Sequence, residues 1–552
     1  MTDCRILCSP GHPLFPPLTS SIIMSKLRHY IDEAVLDFAL RHVTDYYDTD
    51  FYPRIEEFIA ISYSWRDVRE AILDSTLDQI QSPAPVIIAW PKPTSGFRIV
   101  HRLEPIDSII YTALAKAVAP KVEAARAPRD VACSYRIIED HSSFFSHGSG
   151  FQVYRQRCEQ LGASNKYVLS IDIADFYNKI YLHRAQNAIQ LALNSDGGTG
   201  AISKEIENLL LAMNTKASQG VPVGPAASIV ISEAVLIDAD QFIHTRGFEH
   251  VRYVDDFRVF GESKEQLQAL LQDFCVYMHE TQRLSLAPIK TKVSESTDFL
   301  RRELNNQYQL EKLNILEAIE VVNPYDMEVA TNEAEAAPDS GEILVDAITR
   351  ISRFDTIDLG VIRAIVRRAR ANSISAIAPP LLDNLEFFAP AVNDIALYLD
   401  AVTDANFIAI HLPRLIAIAQ SHVMYLQSVR MWFEWYFSRH ETLLQARAIR
   451  QFVYASKSLR PQAVASITLR NQSWVKAHKS EVLRSSSWDR RSIILAAQIL
   501  SSDERSKWLQ TLTRAPQLDR LDKWLIKWVL DGSPVSVPPK AADPWDDDDI
   551  PY

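Results

Sequence analysis

The ten residues Val251-Arg252-Tyr253-Val254-Asp255-Asp256-Phe257-Arg258-Val259-Phe260 constrain the fold more than any other stretch of the chain. β-Branched and aromatic residues stand on both sides of two consecutive aspartates, and such runs favour extended strands. With only the acidic pair between them, the strands form a tight hairpin with the carboxylates at its tip. Alone, such a turn is ordinarily just solvated. A second segment changes the reading: Tyr167 to Ile171 is a β-rich apolar run that delivers Asp172 at its end. A strand ending in a carboxylate, beside a hairpin bearing two more, suits two-metal phosphoryl transfer. Hard divalent cations take oxygen ligands, and two of them roughly 3.5–4 Å apart clamp the attacking and leaving oxygens.

Between these acidic segments lies Gln219-Gly220-Val221-Pro222-Val223-Gly224-Pro225-Ala226-Ala227-Ser228, followed by an apolar helical stretch from Ile229 to Phe242. Glycine and proline together make a rigid loop whose backbone can approach a base pair or sugar closely. Gln219 can hydrogen-bond a base or a template sugar. Asp175, three residues beyond Asp172, is expected to cap the helix that follows.

In this order the segments resemble motifs A, B and C of the reverse-transcriptase family. Tyr253-Val254-Asp255-Asp256 is similar to the family's Tyr-x-Asp-Asp box, and Gln219 to Ser228 to its Gln-Gly-x-x-x-Gly-Pro-x-x-Ser loop. Leu286-Ala287-Pro288-Ile289-Lys290-Thr291 resembles motif D, and Pro91-Lys92-Pro93-Thr94-Ser95-Gly96-Phe97-Arg98 the fingers hairpin. The resemblance implies metal ligation at Asp172, Ile173, Asp255 and Asp256, for two Mg²⁺ ions with Mn²⁺ as the substitute. It also implies that Lys290 protonates leaving pyrophosphate, and that Lys92, Arg98, Gln219 and Gly220 bind the nucleotide. Tyr177, five residues after Asp172, falls where the family places an aromatic ring beneath the sugar. A bulky ring there excludes the 2′-hydroxyl, so deoxynucleotides are the expected substrates.

Phe51-Tyr52-Pro53-Arg54, Ser134-Tyr135-Arg136 and a long helical C-terminal half narrow the likeness to the abortive-infection, defence-associated bacterial branch, of the AbiK type. That likeness implies DNA synthesis in phage defence, without an added template and primed on a tyrosine of the protein. Tyr30, Tyr46, Tyr47, Tyr52 and Tyr63 are the priming candidates. The expected product is single-stranded DNA attached to the chain. Two alternatives stand beside this reading. One is copying of a dedicated noncoding RNA; the other is an inert phage-sensing protein, which should have lost its metal ligands.

The expected architecture is α+β. Reverse-transcriptase-like fingers and palm span 25–330, and an all-α domain of HEAT-like helix pairs spans 342–535. An extension at 1–24, a linker at Thr331 to Gly341 and an acidic tail at 536–552 complete it. A net charge of −11 argues against a protein that coats nucleic acid nonspecifically, so grip on a duplex must come from one cleft. No uninterrupted run of about 18 apolar residues is present, which excludes a membrane span of that kind. The five cysteines are odd in number and scattered, consistent with reduced thiols in the cytoplasm. A homo-oligomer is expected.

Overall fold

The computed structural model describes residues 25–47, 50–80, 83–138, 143–146, 150–194, 200–304, 311–312, 314–315 and 340–533. The expected extension, most of the linker and the acidic tail therefore lie outside the described residues. The described chain is mostly helical, with two small sheets. Helices at Glu33–His42, Glu57–Tyr63 and Trp65–Leu73 come first. A hairpin follows, of β1 (Val86–Pro91) and β2 (Phe97–Arg102), with Trp90 opposite Arg98.

The second sheet holds β3 (Tyr167–Asp172), β4 (Glu249–Tyr253), β5 (Asp256–Gly261) and β6 (Lys292–Glu295). Its order is β4-β5-β3-β6, with every neighbouring pair antiparallel. The period of two along a strand gives this sheet two apolar faces. Leu169, Ile171, Phe257 and Val259 enter the main core with the buried helices Pro105–Ala125 and Ala226–Thr245. Val168, Val251 and Phe260 face Tyr154, Cys158, Leu161 and Phe299 on the other side.

From Ser340–Ile351 to Arg520–Leu530, the described residues are helices and short connections. These helices do not form a core of their own. Trp90 and Val100 of the first hairpin, with Phe51 and Tyr52, share one core with residues 344–465. Trp90 Nε1 donates to Pro390 O (3.1 Å) and Trp432 Nε1 to Phe51 O (3.0 Å). Buried ion pairs join Arg491 to Glu104 and Arg460 to Glu57. No described helix is long and apolar enough to cross a membrane.

Candidate active site

The register of the second sheet assembles the acidic groups. Asp172, the last residue of β3, stands directly opposite Asp256, the first residue of β5. Val254 and Asp255 form the two-residue turn between Tyr253 and Asp256. Asp255 is thus at the hairpin tip, whereas Asp256 already belongs to the strand. Lys290 reaches in from the loop before β6, and its Nζ donates to Asp172 Oδ2 at 2.6 Å. The same two-residue period places Arg258 beside Asp256, and its guanidinium forks onto that carboxylate.

Charge crowding shows in the titration of the groups. Burial, reinforced by the Asp172 carboxylate, pushes Asp255 up to about 7. Burial also raises Asp256, against the pull of Arg258. For Lys290, burial would lower the ammonium; its hydrogen bond to Asp172 and the nearby Asp256 and Asp255 reverse this and raise it. Lys290 is therefore a protonated donor at neutral pH.

Among the described residues, no three His, Cys, Asp or Glu side chains are drawn together into a ready-made metal cage. Lys290 and Arg258 occupy two of the carboxylates instead. The donor set still fits hard divalent ions, being all carboxylate oxygen, and burial beside Asp172 makes the ionised form of Asp255 costly in the absence of a cation. Lys290, with a 68% exposed side chain, is free to withdraw from Asp172.

The nucleotide-binding candidates take varied positions. Tyr177 is half-buried, and burial raises its phenol, with Asp255 and Arg98 near enough to bias it in opposite senses. Ser232 Oγ approaches its hydroxyl at 3.5 Å. Lys92 is exposed at the β1–β2 turn, its N–H bonded to Gly96 O, and Arg98 is half-buried in β2. Gln219 is exposed, but its side-chain amide donates to Lys179 O (3.1 Å), not outward. Gly220 has φ +96 and donates to Ile180 O, and a Cβ there would meet Asn178 O at 3.3 Å, so glycine is required. Ile173 lies buried just past β3, bridged to Leu286. Asp175 stands at the N-cap of the short helix Phe176–Lys179 without making the cap bond expected of it. Its φ is +51, and its carboxylate accepts from Asn178 Nδ2.

The Gln-Gly loop is also the contact point of the first hairpin. His101, the residue before the last of β2, donates its N–H to Val223 O (2.9 Å) and accepts from Val223 N at Nδ1 (3.0 Å). Burial lowers this imidazole to about 4, which keeps Nδ1 an acceptor.

Sequence reasoning missed the charges behind the acidic turn. Arg252, wholly buried in β4, bonds Asp240 through Nε (2.9 Å) and Glu233 through Nη2 (2.8 Å). Arg126 bonds the same Glu233 (2.8 Å) and the carbonyls of Ser134 and Tyr135. Burial alone would raise Asp240; Arg252 and His250 outweigh it and hold the carboxyl at about 2. Glu233 and Asp240 are seven apart on one largely apolar helix. That signal was legible, because buried acids on one face demand a buried cation.

Residues 90–304 match the family described as Reverse transcriptase (RNA-dependent DNA polymerase). These residues carry a reverse-transcriptase domain. It contains β2 and the end of β1, the β4–β5 hairpin, the Gln-Gly loop, Lys290 and all three aspartates. A search of curated proteins finds no match. Among solved structures, telomerase from Candida albicans with a fragment of telomeric RNA is similar at 13% identity and TM-score 0.30, covering 71% of each chain. Apo telomerase from Candida tropicalis is similar at 10% identity and TM-score 0.28, covering 64% of this chain and 68% of its own. At these scores the likeness carries no inference about what this chain does.

Proposed function

We propose that the chain is a DNA polymerase that joins deoxynucleotides to a growing 3′ end through Asp172, Asp255 and Asp256. The observation that carries this reading is the register of Asp172 against Asp256, with Asp255 at the turn and Lys290 bonded to Asp172. Two divalent ions held by the three carboxylates would supply charge stabilisation for the displacement. Lys290 holds a proton at Nζ for the departing pyrophosphate. Lys92 and Arg98 receive the triphosphate, and Tyr177 excludes the ribose 2′-hydroxyl. Asp255→Asn with Asp256→Asn is expected to abolish incorporation with Mg²⁺ while the circular dichroism spectrum stays native. Retained synthesis in this double variant would remove the reading.

The finer reading is template-independent synthesis, primed on a tyrosine, in abortive infection by phage, with the helical half a HEAT-like stack. It is supported by the sequence likeness and by the net charge of −11, which disfavours a free duplex primer. A covalent tether would replace that weak grip with high local concentration. Of the candidates, Tyr63 is exposed and its hydroxyl donates to Asp531 (2.9 Å). Tyr30 is half-buried and bonds Glu205. The side chains of Tyr46 and Tyr47 lie outside the described residues. Tyr52 drops out: it is buried, and its hydroxyl donates to Val86 O and Val100 O. Protease digestion of denatured protein should yield a tyrosine peptide carrying nucleotide mass. DNA entirely released on denaturation would end the priming idea, and copurified RNA of fixed length would favour a dedicated template.

A further inference from the structure

Val254 has φ +53 while Asp255, the other residue of the turn, stays on the negative side. A two-residue hairpin turn with positive φ at its first central residue alone follows the type II′ pattern, where glycine is the ordinary occupant. A β-branched residue in that conformation is an outlier, and such strain persists only where the surroundings over-determine it. Both peptide groups of Val254 are in fact held. Its N–H donates to Ser134 Oγ at 2.9 Å, and its carbonyl accepts from Arg252 Nη1 at 3.3 Å. The two holders are themselves buried and tied together, because the Ser134 hydroxyl donates to Glu233 Oε1 (3.2 Å) and Arg252 bonds both oxygens of Glu233. The Val254 side chain packs against the main core, which a glycine could not do.

We propose that Ser134 and Arg252 are positioning residues that clamp Val254 in its left-handed conformation and so fix the direction in which Asp255 projects. This rests on the reading of Asp255 as a metal-holding carboxylate. Released from the clamp, Val254 relaxes toward negative φ, the peptide that leads into Asp255 rotates, and the carboxylate swings away from Asp172. Glycine at the same position adopts positive φ at no steric cost, so the clamp matters less there. The role of Ser134 is thus conditional on the residue it holds, and a merely structural hydrogen bond has no such dependence.

The test is binding of Mn²⁺ alone, followed by electron paramagnetic resonance at a temperature where every variant is fully folded. Ser134→Ala is expected to weaken Mn²⁺ binding about tenfold, the size of one lost hydrogen bond. Val254→Gly should bind close to wild type, and adding Ser134→Ala to it should weaken binding only about two- to threefold. Ser134→Cys, which keeps a weak acceptor, should fall between Ser134→Ala and wild type, and serves where the alanine variant folds poorly. Unchanged Mn²⁺ affinity in Ser134→Ala, or equal losses in the valine and glycine backgrounds, would overturn the clamp. A wild-type chain that binds no Mn²⁺ would overturn the active-site reading beneath it instead.

Discussion

β1–β2 and β4–β5 are both antiparallel hairpins, the first at the start of the reverse-transcriptase domain and the second within it, yet they are not held in place in the same way. β4–β5 adds charge to its apolar packing: Arg252, Glu233, Asp240 and Arg126 form a buried, mutually bonded set behind its turn. β1–β2 is fixed by apolar contact with the helical half, through Trp90 and Val100 on one face. Its other face leaves Ile87, Phe97 and Ile99 exposed at 57%, 52% and 40%. An ionic set with fixed geometry specifies one arrangement of the acidic turn, at the desolvation cost such groups carry. Apolar packing tolerates sliding and exchange of partners far better. The chain thus places its strictest geometry where carboxylates must converge, and its adaptable contact where a triphosphate is expected to enter.

Breaking the ionic side should have the largest effect. Arg252→Met leaves buried Asp240 with only His250, and buried Glu233 with only Arg126 as its cation, and is expected to cost about 3–5 kcal/mol of stability in urea unfolding. On the apolar side, Trp90→Phe removes the bond to Pro390 and part of a buried ring, for about 1–3 kcal/mol. Near-equal losses for the two would erase the contrast. Tyr177 packs against both cores, so Tyr177→Ala is expected to raise ribonucleotide use relative to deoxynucleotide by roughly tenfold, read from competition assays. An unmoved ratio would reduce Tyr177 to packing.

Acidity separates the two hairpins with opposite signs and smaller effects. The Asp255 carboxyl is raised in the fold, so metal-free stability from this group is present below about pH 4 and is lost as pH rises through about 7. The His101 imidazole is lowered, so the unfolded chain takes up its proton first; stability from this group is lost as pH falls from about 6.5 toward 4. Thermal melting across pH 4–8 without metal should lose the upper slope in Asp255→Asn and the lower slope in His101→Gln. If both variants keep the wild-type profile, neither group sets it.

The acidic centre could be read directly from the chain because its signals are local. Alternating apolar residues around Asp255 and Asp256, and the run before Asp172, mark the strands without knowledge of distant partners, although the turn falls one residue earlier than expected, at Val254-Asp255, because Asp256 pairs in β5. The other members of the site are tertiary. Ser134-Tyr135-Arg136 stood out only as a likeness; its contact with the Val254 N–H spans 120 residues of chain. β6 is four residues long and mixes Lys292 and Glu295 with Val293 and Ser294, so no alternation marks it. The union of the β1–β2 face with residues 344–465 was not legible either, because an apolar strand face does not say which helix will cover it.

The helices at 57–75 are covered by the segment at 520–531, and this bears on how the protein is made. Tyr63 bonds Asp531 across 468 residues, Lys527 pairs with Asp67, and Arg520 bonds Ala71 O and the Ser75 hydroxyl. Ala60 packs in one cluster with Leu525 and Ile526. At ordinary synthesis rates, roughly 20–90 s separate the emergence of these partners from the ribosome. Throughout that interval the early helices keep an uncovered apolar face, and for its second half the acidic centre has already been synthesised. A nascent chain stalled before that segment therefore already carries Asp172, Asp255 and Asp256 and still lacks the cover over its early helices.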